Sequence, residues 1–428
     1  MKLTVTPFPH QAAYRDFALA CDYTLLGDEP GVGKTLSAIS VAIEMNCPTL
    51  VVCPAFLKFN WNAEFLKFTD IKEEEILLIN TKKDFRRISP SIRVAIVNYE
   101  KLIDCKELFN WAEYVISDES HLLKNLEAKR TQLFHKYIIA SPPRRLSLLT
   151  GTPVKNRVEE FYSLLTLLSY CPSGKNGKNI RDKFRTQYRF AQHFSHERSF
   201  DINVRGRSVT VRKFEGLRNE EELRTYFRGK YMRRLTKDVL DIPEMLEKYV
   251  EVSYKYDDSS LKDFTAHQSK LDGHIMSIKT GSALAKAPFT ADYAKNLNLE
   301  TGRPVVIFSD HVASIKLIGE KLKNSAVITG STPMDERHKW VTEFQAGRLD
   351  YILATIGAMS TGVTLTAASD LIFNDMSYVP ADNEQASRRI NRITQENSCR
   401  IHRMCGSHID KAIMIALTSK QSVLDRII

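Results

Sequence analysis

The sequence predicts an α/β architecture with two parallel sheets in tandem and a basic insert between them. Three observations support it. Short β-rich runs alternate with helix-length amphipathic stretches from residue 24 to 170, the alternation resumes from residue 305 to 404, and the segment between differs in composition. Alternating strand and helix patterns read as parallel sheets covered by helices. At about 150 residues per domain, a chain of 428 residues suits two or three domains, each able to bury a core. The expected boundaries are 1–172 for the first domain, 173–245 for insert and connector, and 246–428 for the second.

In the first series the strand candidates are Thr24 to Leu26, Leu50 to Cys53, Ile76 to Ile79, Val94 to Val97, Tyr114 to Ser117 and Leu146 to Leu149. Between the first two, Leu36, Ile39 and Ile43 recur at i, i+3 and i+7, the apolar face of a helix that follows a glycine-rich turn. The second series comprises Val305 to Ser309, Ala326 to Thr329, Tyr351 to Thr355, Leu371 to Asn374 and Arg400 to Met404. From Gly174 to Leu240, eighteen Lys plus Arg stand against eight Asp plus Glu, an excess equal to the net charge of the whole chain, +10. Phe184, Tyr188, Phe190, Phe194, Phe214, Tyr226, Phe227 and Tyr231 interleave with these basic residues. Two readings stand side by side: aromatics as the core of a small insert with solvated charges, or a nucleic-acid contact surface.

The composition, 43% hydrophobic and 26% charged, excludes wholesale disorder, collagen-like repeats and a dominant coiled coil. The basic balance favours polyanionic partners. Seven scattered cysteines with no CxxC pair indicate neither a disulfide framework nor a zinc site, and suit a reducing cytoplasm. No secretory signal is read at the N-terminus. The longest uncharged stretch, Tyr351 to Ser369, holds eight Gly, Ser and Thr residues and is too polar for a membrane span. His193 and His196 lack a neighbouring cysteine or acidic cluster to complete a metal site, and Trp61 with Phe65 reads as core packing.

Chemistry is concentrated at strand ends. Gly27-Asp28-Glu29-Pro30-Gly31-Val32-Gly33-Lys34-Thr35 follows a strand and opens a helix. Such a loop turns backbone N–H groups toward phosphates, with Lys34 reaching the β and γ phosphates and the Thr35 hydroxyl available to magnesium. Asp28 stands where the strict pattern has its first glycine. The strand Tyr114 to Ser117 runs into Asp118-Glu119-Ser120-His121, adjacent carboxylates suited to holding magnesium (Asp118) and polarising water (Glu119). Thr150-Gly151-Thr152-Pro153 ends a third strand.

These three motifs, in this order, resemble the superfamily-two helicases. The longer strings GDEPGVGKTLSAI, VISDESHLLKN and LLTGTPVKNRVEEFYSLL are similar to the Swi/Snf-type ATPases, in which an Asp commonly replaces that first glycine. The resemblance extends to Pro9-His10-Gln11, VVCPAFLKFNWNAEF (51–65), Asn98-Tyr99-Glu100, VVIFS (305–309), ATIGAMSTGVTLTAASDLIFND (354–375) and QASRRINRITQ (385–395). It implies two RecA-like lobes using ATP and Mg2+, with Gln11 as adenine reader and Arg389 and Arg392 as arginine fingers, three apart on one helix face. Arg388, Asn391, Thr394 and Thr364 depart from the family pattern. The segment Tyr231 to Leu240, followed by Ile242-Pro243, resembles the lobe connector of the compact HepA-related and annealing-helicase branch. Candidate DNA contacts are Asn98, Ser309, Thr355 and Thr364, and the basic cluster Arg205, Arg207, Arg212 and Lys213.

The resemblance implies an ATP-dependent DNA translocase or helicase acting on duplex or branched DNA, single strands being the further option. A strand-separating helicase on DNA or RNA is the near rival, and a nucleotide-gated binding protein without turnover the rival from another class. The sequence ends 33 residues after Gln395, so no chromatin-reading domain is expected. A monomer in a bacterial or phage-infected cytoplasm, without membrane contact, is the expected setting.

Overall fold

The computed structural model describes residues 1–151, 157–174, 179–204, 207–253, 272–359, 363–393, 395–406, 410–411 and 413–414. Two compact units divide between Val239 and Leu240. In the first unit the strands are β1 (Tyr23–Leu26), β2 (Thr49–Cys53), β3 (Ile76–Leu78), β4 (Val94–Asn98), β5 (Tyr114–Asp118), β6 (Arg145–Leu149), β7 (His196–Val204), β8 (Arg207–Glu215) and β9 (Tyr231–Met232). Seven of them form a wholly parallel sheet in the order β3-β4-β2-β5-β6-β1-β9. The other two, β7 and β8, pair as an antiparallel ribbon.

Every residue of β2 is buried, because both faces of the sheet are covered. Leu50 and Val52 join one apolar core, and Val51 and Cys53 the other. The helix Lys34–Met45 sits over the second of these cores through Ala38, Ile39, Val41 and Ala42. Of the insert aromatics, Phe184, Phe190, Phe194, Tyr226 and Phe227 are buried in the first core, as the core reading expects. They pack edge-on or tilted, with Phe161 and Phe227 ring centres 4.7 Å apart. Tyr188 remains exposed, edge-to-face with Phe214.

The second unit contains β10 (Met245–Glu251), β11 (Val305–Ser309), β12 (Ser325–Ile328), β13 (Tyr351–Thr355), β14 (Asp370–Phe373) and β15 (Cys399–Cys405), all parallel, in the order β10-β15-β14-β11-β13-β12. Val306 and Phe308 face one core and Val305 and Ile307 the other. A 30-residue helix, Asp272–Thr301, lies against the second of these cores through Ala287, Ala291, Ala294 and Leu297. Among the described residues no helix is long and apolar enough to cross a membrane.

Candidate active site

The loop after β1 carries Gly31 and Gly33 at φ +93° and +89°, left-handed values that side chains disfavour, and Gly33 caps the helix Lys34–Met45. The Lys34 ammonium folds onto its own loop, donating to the carbonyl oxygens of Asp28 at 2.7 Å and Glu29 at 3.1 Å. Gly151, beyond β6, closes this side. A Cβ there would lie 2.8 Å from Pro30 Cγ and 3.3 Å from Lys34 Nζ, so only glycine fits without moving the loop or its lysine.

Between them β5 delivers Asp118. Its carboxylate accepts from the Trp61 indole N–H at 2.8 Å and from the backbone N–H of Glu119 at 2.9 Å. Burial, then the neighbouring Glu119 carboxylate, raises its pKa well above the ordinary range, while the Trp61 bond and Lys34 pull it down. Glu119 adopts φ +50° and ψ +46°, a left-handed conformation that turns the chain sharply at the strand end. His121 Nδ1 lies 3.1 Å from Glu119 Oε2 and 3.1 Å from Thr150 Oγ1, so one imidazole joins the second motif to the third. Thr152 and Pro153 lie outside the described residues.

Gln11 is buried, its amide oxygen accepting from Phe8 N–H at 2.9 Å and its amide nitrogen donating to Gly33 O at 3.3 Å. The side chain therefore braces the loop from the preceding helix, with His10 Nε2 2.9 Å from Val32 O beside it. Asp28 is completely buried in an ion pair with Arg234, and its backbone is not left-handed, so the first position of the loop pattern does not require glycine here. Two contacts of the candidate site were beyond sequence reasoning: Trp61 reads as plain core, and Arg234 lies over 200 residues from Asp28.

In the second unit one expectation is corrected. The helix ends at Ser387, so Arg389 and Arg392 occupy the turns that follow it and share no helix face. The chain leaves the helix because the Arg389 carbonyl accepts from Leu365 N–H at 2.9 Å, and Gln395 Nε2 binds the carbonyls of Ile390 and Ala368. Both arginines still meet one loop: Arg389 Nη1 donates to Val363 O at 3.4 Å and Arg392 Nη1 to Thr364 Oγ1 at 2.6 Å. Asn391 donates to Pro243 O at 3.0 Å, and Thr394 lies outside the described residues.

Three of the candidate DNA contacts, Asn98, Ser309 and Thr355, fall at strand ends, and Thr364 lies in a loop. Asn98 closes β4, with its amide on Glu100 at 2.6 Å, and Ser309 and Thr355 are register partners at the ends of β11 and β13. Ser309 is fully buried, its hydroxyl donating to Asp375, so its side chain is not presented at the surface. Arg212 is exposed on β8, bonded to the Tyr188 hydroxyl and 3.4 Å from Glu197. Arg207 and Lys213 stand on β8 opposite Val204 and Arg198, and Arg205 lies outside the described residues. His193 stands one residue before the end of the helix Gln187–Phe194 and bonds Glu222 at 2.8 Å, whereas His196 opens β7; among the described residues no group of three or more His, Cys, Asp or Glu side chains is set to hold a metal ion.

Comparison with known proteins matches an SNF2-related domain to residues 15–288 and a helicase conserved C-terminal domain to residues 290–394. The chain belongs to the SNF2-related family. This SNF2-related chain is 28% identical to the DNA annealing helicase and endonuclease ZRANB3 of Bos taurus, over 98% of its own length and 40% of that protein's. It is 27% identical to the SWI/SNF-related matrix-associated actin-dependent regulator of chromatin subfamily A-like protein 1 homolog of Caenorhabditis elegans, covering 91% of this chain and 57% of the relative. The SNF2-related chain thus spans about two fifths of the first relative and under three fifths of the second. Among solved structures, the Sulfolobus solfataricus SWI2/SNF2 ATPase core in complex with dsDNA aligns with 100% of this chain and 93% of its own, at 21% identity and a TM-score of 0.45.

Proposed function

We propose that the chain couples ATP hydrolysis to the remodelling of duplex or branched DNA, in the manner of branch migration or strand annealing. The observation that carries this reading is the meeting of Lys34, Asp118, Glu119 and Gly151 around the C-terminal ends of β1, β5 and β6, where parallel sheets bind ligands. DNA as the track is supported by the names of the relatives and by the basic insert.

The residues suit MgATP. Moving the Lys34 ammonium from two neutral carbonyls to phosphate oxygens exchanges ordinary bonds for charge-assisted ones, roughly twice as strong. Asp118 and the Thr35 hydroxyl are hard oxygen donors, as magnesium requires, and a buried carboxylate beside a second one is relieved by a nearby cation. Magnesium held there neutralises phosphate charge. Trp61 fixes the Asp118 carboxylate, and Glu119 orients the attacking water. Arg389 and Arg392 stabilise the charge that develops on the transferred phosphoryl group, the role their motif implies.

The test is ATP turnover with single-stranded, duplex and branched DNA and with RNA as separate activators, Lys34→Ala serving as the dead control. Duplex and branched DNA are expected to activate most, with conversion of a four-way junction but little displacement on a tailed duplex. Activation by RNA alone, or turnover in Lys34→Ala equal to wild type, refutes the reading.

A further inference from the structure

The connector between the units does more than join them. Its backbone pairs with β1 and continues the sheet ladder past the strand's end into the nucleotide loop: Leu25 N–H donates to Lys230 O at 2.7 Å, Gly27 N–H to Met232 O at 2.8 Å and Glu29 N–H to Arg234 O at 3.1 Å. The Tyr231 ring fills the space where a Cβ of Gly27 would stand, 2.5 Å away. Side chains lock the same contact. Arg234 Nε reaches both Asp28 oxygens, at 3.0 and 3.1 Å, and Nη2 approaches Oδ2 at 2.5 Å. Its remaining nitrogen, Nη1, donates to the His10 carbonyl, and the Glu29 carboxylate accepts from Thr236 N–H at 2.8 Å.

We propose that Arg234 is a positioning residue for ATP turnover, holding the nucleotide loop through Asp28 so that loop and connector move as one body. This inference rests on the ATPase reading above. Asp28 and Glu29, gripped by the connector through their side chains, are also the residues whose carbonyls hold the Lys34 ammonium. A phosphate that draws Lys34 away removes a cation from those two carbonyls, and the change is felt where Arg234 and Thr236 are attached. Five residues after Arg234 the first unit ends, and the second begins at Leu240. The guanidinium is required because one planar fork satisfies a buried carboxylate and a backbone carbonyl together; a lysine offers a single point of charge and cannot reproduce that geometry.

The experiment measures kcat, KM for ATP and the factor of DNA stimulation for the full chain carrying Arg234→Gln, Arg234→Lys or Asp28→Asn. Each variant is assayed well below its own melting temperature and normalised to its folded fraction. Wild type is measured first, and absence of DNA-stimulated turnover there defeats the ATPase reading and not this inference. With wild type active, Arg234→Gln is expected to lower kcat by about 10²-fold, the scale of a misplaced reacting group, and to reduce DNA stimulation, with a smaller change in KM. Arg234→Lys should recover only part of the loss. Asp28→Asn, which keeps shape and one acceptor, should fall between and serves if Arg234→Gln does not fold. Folded variants with wild-type kcat and stimulation, or a loss wholly explained by the unfolded fraction, overturn the proposal.

Discussion

Acidification from pH 7 to pH 5 is expected to weaken the first unit through His135. The ring is buried, with Nε2 3.0 Å from Ser163 Oγ and its edge against Tyr170. Ser163 gives its own proton to Leu123 O, so the imidazole is the donor and carries its hydrogen on Nε2. Burial, and after it the Arg181 charge, lowers its pKa from 6.5 to about 4. The unfolded chain takes up a proton near 6.5 while the folded one does not, so stability present above that pH is lost as pH falls toward 4. Linkage puts the loss at about 2 kcal/mol at pH 5 and about 3 kcal/mol below pH 4. Guanidinium unfolding followed by tryptophan emission reads it in a Trp340→Phe background, which leaves Trp61 and Trp111 as reporters, both in the first unit. His135→Gln keeps a donor for Ser163 but cannot titrate, so its stability should vary less with pH by that amount. Equal pH dependence in the two proteins refutes the reasoning.

Glu119→Gln should retain ATP binding, measured by a fluorescent analogue, while turnover collapses; loss of binding in a folded variant would make Glu119 a binding residue. Arg389→Ala and Arg392→Ala should each lower DNA-stimulated turnover by about 10³-fold, the scale of a missing arginine finger, and near-normal rates in both would place the fingers elsewhere. Neutralising Arg205, Arg207, Arg212 and Lys213 together should weaken duplex binding at every sequence and flatten the salt dependence, by about 0.9 in log-log slope for each phosphate that is no longer neutralised. An unchanged slope in the folded variant leaves them as solvated charges.

All eleven strands expected from β-rich runs are present, within a residue at their ends, and the central ones such as β2 and β11 are mostly apolar because both of their faces are buried. The four that escape such reading lack that signature. Strand β10 is an edge strand with Leu246 and Tyr249 half exposed, β9 has two residues, and β7 and β8 form an isolated ribbon. The strand-end motifs are legible because backbone geometry fixes their spacing, as at Gly33 and Lys34. Contacts made across the fold are not. Nothing local to Asp28 announces Arg234, and nothing in Trp61 distinguishes an indole that binds a carboxylate from one that only packs. The arginine turn reads as helix in the sequence because the claim of Leu365 on the Arg389 carbonyl is a tertiary contact, which overrides local pattern.

The left-handed backbone of Glu119 sets robustness against purpose at a single residue. A β-carbon in that conformation costs about 1–2 kcal/mol, which glycine would not incur and asparagine would reduce. On the water-orienting role proposed for Glu119, random selection for heat tolerance would therefore tend to erase this glutamate, returning proteins that melt later and no longer turn over. Libraries built to harden the enzyme should hold position 119 fixed and seek their gains on the exposed faces of the helices instead.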